Sequence, residues 1–126
     1  MPNQIIWENE GVLSSYDGEF TPETHSAGLN ALFGDPRIDT IKYMIGDYTE
    51  VHGDLLTEEY VDYPVAMTAG AALYLNNIKI ALVAIDKKII ALCRLFIELS
   101  NKINPTWETR LFDDIETARS WIASIR

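Results

Sequence analysis

The run Ile78-Lys79-Ile80-Ala81-Leu82-Val83-Ala84-Ile85 constrains this chain more than any other stretch. It is almost wholly apolar and rich in β-branched residues. Strands that cover only one face of a sheet alternate apolar and polar residues, whereas near-continuous apolar strands are buried on both faces. Asn76-Asn77 precedes the run as a turn, and Asp86 follows it as a cap for the helix that opens at Lys87. The chain therefore has to supply helices for both sides of a sheet that is at least partly parallel.

The flanking segments fit that demand. Gln4–Glu8 and Val12–Tyr16 read as two strands around the turn at Glu10-Gly11, which makes a hairpin. Thr21-Pro22 reads as an N-cap followed by a first helical residue, and that helix runs to about Phe33, with His25, Leu29, Leu32 and Phe33 on one stripe. Gly34-Asp35-Pro36 stops it. Ile41–Ile45 reads as a strand that runs out into an acidic loop. Pro64 leaves two readings for the next helix. It kinks after starting near Glu58, or Thr57 opens one turn only and the main helix begins near Asp62. From there Val65, Ala69, Ala72 and Leu73 make its stripe. Lys87 to about Asn101 is the third helix, ended at Asn104-Pro105. Trp107–Phe112 is the last strand. Asp113 or Asp114 caps a terminal helix with Ile115, Ala118, Trp121, Ile122 and Ile125 on one side. The expected architecture is one α/β domain over 1–126, with a mixed sheet and the order ββαβαβαβα.

The third helix carries more apolar surface than one contact uses. At about 100° per residue, Lys87, Ala91, Arg94, Glu98 and Lys102 fall on one narrow side. Apolar residues, including Ile90, Leu92, Phe96, Ile97 and Leu99, span roughly 220°, where a single sheet face needs about 100°. A neighbouring helix, a second copy in a homodimer, or an apolar ligand such as a lipid is expected to cover the rest. Cys93 lies inside this arc and reads as a small buried hydrophobe.

Charge limits the partners. The net charge is −9, and no Lys or Arg occurs between Lys42 and Lys79. That interval holds Asp47, Glu50, Asp54, Glu58, Glu59 and Asp62. Such a surface repels phosphate backbones, so no nucleic-acid binding is expected. It suits a basic protein partner or simply a solvated face. In open α/β sheets ligands settle beyond the carboxyl ends of strands. The loop after Ile45, with Asp47, Thr49, Glu50, His52 and Asp54, and then Glu58 and Glu59, is thus the expected interaction surface. The opening Met1-Pro2-Asn3-Gln4 has no positive region before an apolar core, and the longest uncharged run, Tyr63–Ile78, is too short to span a bilayer. With its single cysteine the chain is expected in the cytoplasm, without a transmembrane segment.

Residues Phe112-Asp113-Asp114-Ile115-Glu116-Thr117-Ala118-Arg119-Ser120-Trp121-Ile122 resemble the closing signature of SpoIIAA-like proteins. Gly18-Glu19-Phe20-Thr21-Pro22-Glu23 is similar to that family's junction between strand and first helix, and Arg94-Leu95-Phe96 to its third helix. The resemblance implies a STAS-like fold and a non-catalytic interaction or regulatory module, as in anti-sigma-factor antagonists. Those antagonists carry a phosphorylated hydroxyl in an Asp-x-Ser/Thr-x-aliphatic motif, which Asp47-Tyr48-Thr49-Glu50-Val51 matches. His52-Gly53-Asp54 departs from it, and the next helix opens too late for its N-terminus to cradle a phosphate on Thr49.

No catalytic constellation is evident. His25 lies on a helix stripe and reads as a core or boundary residue. His52 sits among carboxylates without metal-ligand spacing, and Asp47–Glu58 fails as a calcium loop because Gly53 falls at the seventh place. No phosphate loop, nucleophile elbow or paired cysteine occurs. No metal or cofactor is expected, and no enzymatic activity.

Overall fold

The computed structural model describes residues 3–104 and 106–124. The expected order is found: β1 (Asn3–Trp7), β2 (Gly11–Asp17), α1 (Pro22–Phe33), β3 (Tyr43–Glu50), α2 (Asp62–Ala71), β4 (Lys79–Val83), α3 (Lys87–Ile103), β5 (Glu108–Phe112) and α4 (Ile115–Ser124). Short 3-10 turns lie at Pro36–Thr40 and Glu59–Val61. The five strands form one sheet in the order β1-β2-β3-β4-β5. β1 runs antiparallel to β2, and every other pair is parallel. Pro105 and Ile125, read above as part of a helix stop and of the terminal helix stripe, lie outside the described residues.

Each parallel crossover steps one strand in the same direction, so right-handed connections put α1, α2 and α3 on one face. Register fixes which side chains they meet. Val12, Met44 and Ile80 are neighbours across β2, β3 and β4, as are Leu13, Ile45 and Ala81 one residue on. The first row joins the larger core beneath α1–α3, with Leu32, Val65, Leu92 and Phe96. The second row packs on α4 through Ala118, Trp121 and Ile122. Both faces of β4 are thus covered, Ala81 and Val83 at 0% exposure on the α4 side and Ile80 and Leu82 at 6% and 7% on the other, as its apolar sequence demands.

Local capping agrees with the sequence. The Thr21 hydroxyl accepts from the Thr24 amide at 3.0 Å, and the Thr24 hydroxyl accepts from the Thr21 amide at 2.9 Å, forming a capping box. Asp86 caps α3 by accepting from the Ile89 amide at 3.1 Å. Asp114, not Asp113, caps α4, accepting from the Thr117 amide at 2.7 Å. Across the sheet, the Glu8 carboxylate accepts from Arg119 Nη2 at 2.6 Å and from the Tyr43 hydroxyl, which ties α4 to the hairpin. The Arg119 bonds hold the Glu8 carboxyl below the ordinary range.

Several element ends differ from the sequence reading, among them β4, which is Lys79–Val83 and leaves Ile85 59% exposed. β3 is not Ile41–Ile45; it begins at Tyr43 and continues to Glu50, because parallel pairing with β2 and β4 carries through Asp47. Asp47, Thr49 and Glu50 are consequently strand residues. For α2 the second of the two readings holds: it begins at Asp62, which puts Pro64 in the first turn, where it lacks no bond that the helix needs. Thr57 opens a single turn, its hydroxyl accepting from the Tyr60 amide at 3.3 Å. α2 also ends at Ala71, so Leu73 leaves the expected stripe and is 80% exposed, while Val65 and Thr68 form the buried side.

Candidate functional site: an apolar cavity under the helices

Between the sheet and α1–α3 lies an apolar cavity of about 110 Å³. Its floor is the inward face of β2, β3 and β4, including Val12, Met44, Ile80 and Leu82. α1 contributes His25, Leu29 and Leu32, and α3 contributes Ile89, Leu92, Cys93 and Phe96. Leu56, Tyr60 and Val61, from the segment between β3 and α2, close the third side. Among the described residues no Asp, Glu, Lys or Arg lines it.

Small side chains create the space. Ser14, Thr68 and Cys93 line the cavity at positions where larger residues would fill it, and Gly46 lines it too. Gly46 sits on the inward side of β3 between Met44 and Tyr48, and a Cβ there would lie 3.1 Å from the Tyr48 ring and 3.3 Å from Leu82.

The polar atoms of the wall are largely engaged within the protein. Thr68 Oγ1 donates to the carbonyls of Pro64 and Val65, at 3.1 and 3.0 Å. Ser14 Oγ accepts from Asn3 Nδ2 at 3.1 Å. His25 is buried, and its ring nitrogens both meet phenols: Nδ1 lies 2.7 Å from Tyr60 Oη and Nε2 lies 3.1 Å from Tyr48 Oη. Burial lowers the His25 pKa to about 4, so the imidazole is neutral at pH 7. Burial also pushes Tyr16 up to about 12 and Tyr48 well above the ordinary phenol value. The Cys93 thiol is pushed up to about 12 by burial, so it remains protonated and a poor nucleophile.

An aromatic cluster frames this polar corner. The Tyr16 and Tyr48 rings stack with centroids 5.4 Å apart and planes at 7°, and Phe20 and His25 pack edge-on at 5.3 Å. Gly28 lets α1 settle onto Tyr16, since a Cβ there would fall 2.4 Å from the Tyr16 hydroxyl.

The residues singled out in the sequence divide between this cavity and its surroundings. Leu92 and Phe96 are buried in the cavity wall, while Ile90, Ile97 and Leu99 are half-buried against the same core outside the lining. α3 packs beside α2 and β5, which accounts for the width of its apolar arc. Asp54, Glu58 and Glu59 are exposed on the segment that closes the cavity, and Glu50 is exposed at the end of β3. Thr49 is half-buried, and its hydroxyl donates to Asp47 Oδ1 at 2.7 Å. His52 Nδ1 lies 3.2 Å from Asp86 Oδ1, away from the cavity lining. The other Asp86 oxygen accepts from the Gly53 amide at 3.1 Å, so the α3 cap also anchors the loop after β3. Among the described residues no cluster of three His, Cys, Asp or Glu side chains could hold a metal ion, and no helix is long and apolar enough to cross a membrane.

A second, open groove lies outside α1. Glu23, Glu59 and Asp62 flank it, with Tyr60 and Tyr63 stacked at 6.1 Å. Tyr60 is shared, since it lines both the groove and the internal cavity. The sequence reading missed the triad His25–Tyr48–Tyr60, whose members are 12 to 35 residues apart; the one available signal was a histidine on an otherwise apolar helix stripe. Comparison with protein-family models found no match, and comparison with curated proteins found none.

Proposed function

We propose that this chain is a non-catalytic binding protein whose internal cavity holds a small apolar molecule. The carrying observation is the cavity itself, about 110 Å³ with an uncharged wall. Apolar cavities of this kind offer water few hydrogen bonds and accept small hydrocarbons instead. Occupancy restores the dispersion contacts that the void forgoes. Toluene is therefore expected to raise the melting temperature in a saturable way, with about 2.7 kcal/mol of stabilisation at a hundredfold excess over Kd. Cys93→Leu, which fills the cavity from α3, is expected to abolish that shift. Thermal denaturation across a toluene series checks both, and a wild-type protein indifferent to toluene and to benzene defeats the reading.

A second reading has its own support. The mixed sheet, the element order and the acidic face suit a STAS-type interaction module that docks a basic protein partner. The groove between Glu23, Glu59, Asp62 and the stacked Tyr60 and Tyr63 offers carboxylates beside aromatic faces, a chemistry suited to Lys and Arg side chains. Neutralising Asp54, Glu58 and Glu59 to Asn and Gln is expected to weaken binding of an Arg/Lys-rich peptide by about tenfold at low salt and to flatten its salt dependence. Fluorescence anisotropy at two ionic strengths measures this, and an unchanged affinity sinks the docking face.

A further inference from the structure

The wall of the cavity is apolar but not featureless, and its one polar corner can be counted donor by donor. A neutral imidazole has one N–H donor and one acceptor nitrogen. His25 faces a phenol on each side, at 2.7 Å from Nδ1 and 3.1 Å from Nε2. A hydroxyl donor gives the shorter bond and a ring N–H the longer one. On these lengths the tautomer is assigned with Tyr60 donating to Nδ1 and Nε2–H donating to Tyr48 Oη. This consumes the Tyr60 hydrogen and one acceptor site of Tyr48. It leaves the Tyr48 hydroxyl hydrogen without an acceptor among the described residues.

Tyr48 is placed to offer that hydrogen to a guest. Its ring is held by stacking on Tyr16. It is enclosed by the core, enough to raise its pKa strongly, yet it keeps accessible surface. Tyr48 is among the residues that line the cavity. Size bounds the guest as well. An engineered apolar cavity of about 150 Å³ takes benzene, so about 110 Å³ limits the guest to one small ring or a chain of similar size. Charge bounds it further. Among the described residues no cation and no carboxylate lines the cavity, so a carboxylate, a phosphate or an ammonium finds no counter-charge among them.

We infer that the cavity selects a neutral, compact apolar molecule bearing one hydrogen-bond acceptor, a ketone or aldehyde in type, whose oxygen receives the Tyr48 hydroxyl hydrogen. The inference rests on the cavity-binding reading above and specifies its ligand class. Tyr48 is then the specificity-determining residue, and the apolar walls supply most of the affinity without discriminating.

The test uses a near-isosteric pair, cyclohexanone and methylenecyclohexane, titrated into the full chain by calorimetry. The quantity of interest is the ratio of their Kd values in wild type against the same ratio in Tyr48→Phe, because the different hydration of the two probes cancels in that comparison. Tyr48→Phe is expected to shift the ratio about tenfold against cyclohexanone while methylenecyclohexane still binds. Cyclohexanecarboxylate and cyclohexylammonium are expected not to bind. Should both neutral probes bind and the ratio stay unchanged in Tyr48→Phe, the Tyr48 assignment falls while the cavity reading stands. Binding of the carboxylate as tight as that of the ketone overturns the neutral-ligand class. If no probe binds wild type, the cavity reading fails and this inference with it. Should Tyr48→Phe not fold, the infrared carbonyl stretch of cyclohexanone bound to wild type decides instead. A frequency below that in hexane supports the hydrogen bond, and an unshifted one refutes it.

Discussion

Lowering the pH from 7.5 to 4.5 is expected to cost the folded chain about 2–3 kcal/mol through His25 alone. The group has an ordinary pKa of 6.5 and a native value of about 4, and burial is the cause. The native ring stays neutral where the unfolded ring has already taken a proton. Stability rises with pH wherever the unfolded state binds more protons. The contribution is therefore intact above pH 6.5, declines as pH falls towards 4, and is fully lost below it. The surroundings explain why protonation is resisted. An imidazolium has two donors and no acceptor, so Tyr60 would have to give up its donated hydrogen bond and accept one. Among the described residues the cavity wall supplies no carboxylate to balance the charge. Glu8, Asp35, Asp86, Glu108 and Asp114 are all held below their ordinary values, and they add acid sensitivity only below their unfolded range, about pH 4.5. Their window barely overlaps that of His25. Relief of repulsion among surface carboxylates acts in the opposite direction, so the informative quantity is a difference between variants. His25→Gln keeps a polar side chain and removes the titration. Urea denaturation of both proteins between pH 7.5 and 4.5 is expected to show a falling midpoint for wild type and a much flatter profile for the variant. Parallel profiles sink the assignment.

Much of this fold was legible because it is written in local chemistry. The polar side of α3, Lys87, Ala91, Arg94, Glu98 and Lys102, is exposed residue for residue. Thr21, Asp86 and Asp114 cap helices because side-chain acceptors satisfy amides only a few residues away. β4 announced its double burial by composition. β3 was harder. Its outer half, Asp47–Glu50, looks like a loop by residue type, yet parallel pairing holds it extended and leaves its acidic ends partly in water. The end of α2 was harder still, since Leu73 continues an apolar stripe that the backbone abandons at Ala72.

The cavity was legible only through the wide apolar arc of α3, whose Leu92 and Phe96 line it, and the reason is general. A void is what three layers fail to fill, and Ser14, Gly46, Thr68 and Cys93 reveal it only when strand register and helix placement set them around one space. The sequence directed attention to the acidic segment after β3. In the structure that segment matters twice, through exposed Asp54, Glu58 and Glu59 outside and through Leu56, Tyr60 and Val61, which close the cavity within.

Replacing Trp107 with alanine is expected to remove about 3–5 kcal/mol, the largest single loss for any one side chain in the α1–α3 core. Trp107 is 4% exposed and precedes β5, and its Nε1 donates to the Leu75 carbonyl at 2.7 Å. Leu75 lies just beyond α2, so the indole fastens the exit of that helix to the start of the last strand. Alanine both opens a large void and strands a carbonyl. Trp107→Phe separates the two effects, since the ring keeps most of the apolar contact while the carbonyl loses its donor, at about 1–3 kcal/mol. Trp107 does not line the cavity. Trp107→Phe is therefore expected to lower the urea midpoint at unchanged m and to leave toluene affinity near wild type in native conditions. Tyr48→Phe is expected to do the reverse for the ketone, changing selectivity more than stability. Equilibrium unfolding and titration of the two variants side by side test that separation. Equal losses of affinity in both would mean that the cavity depends on the whole core and not on its own corner.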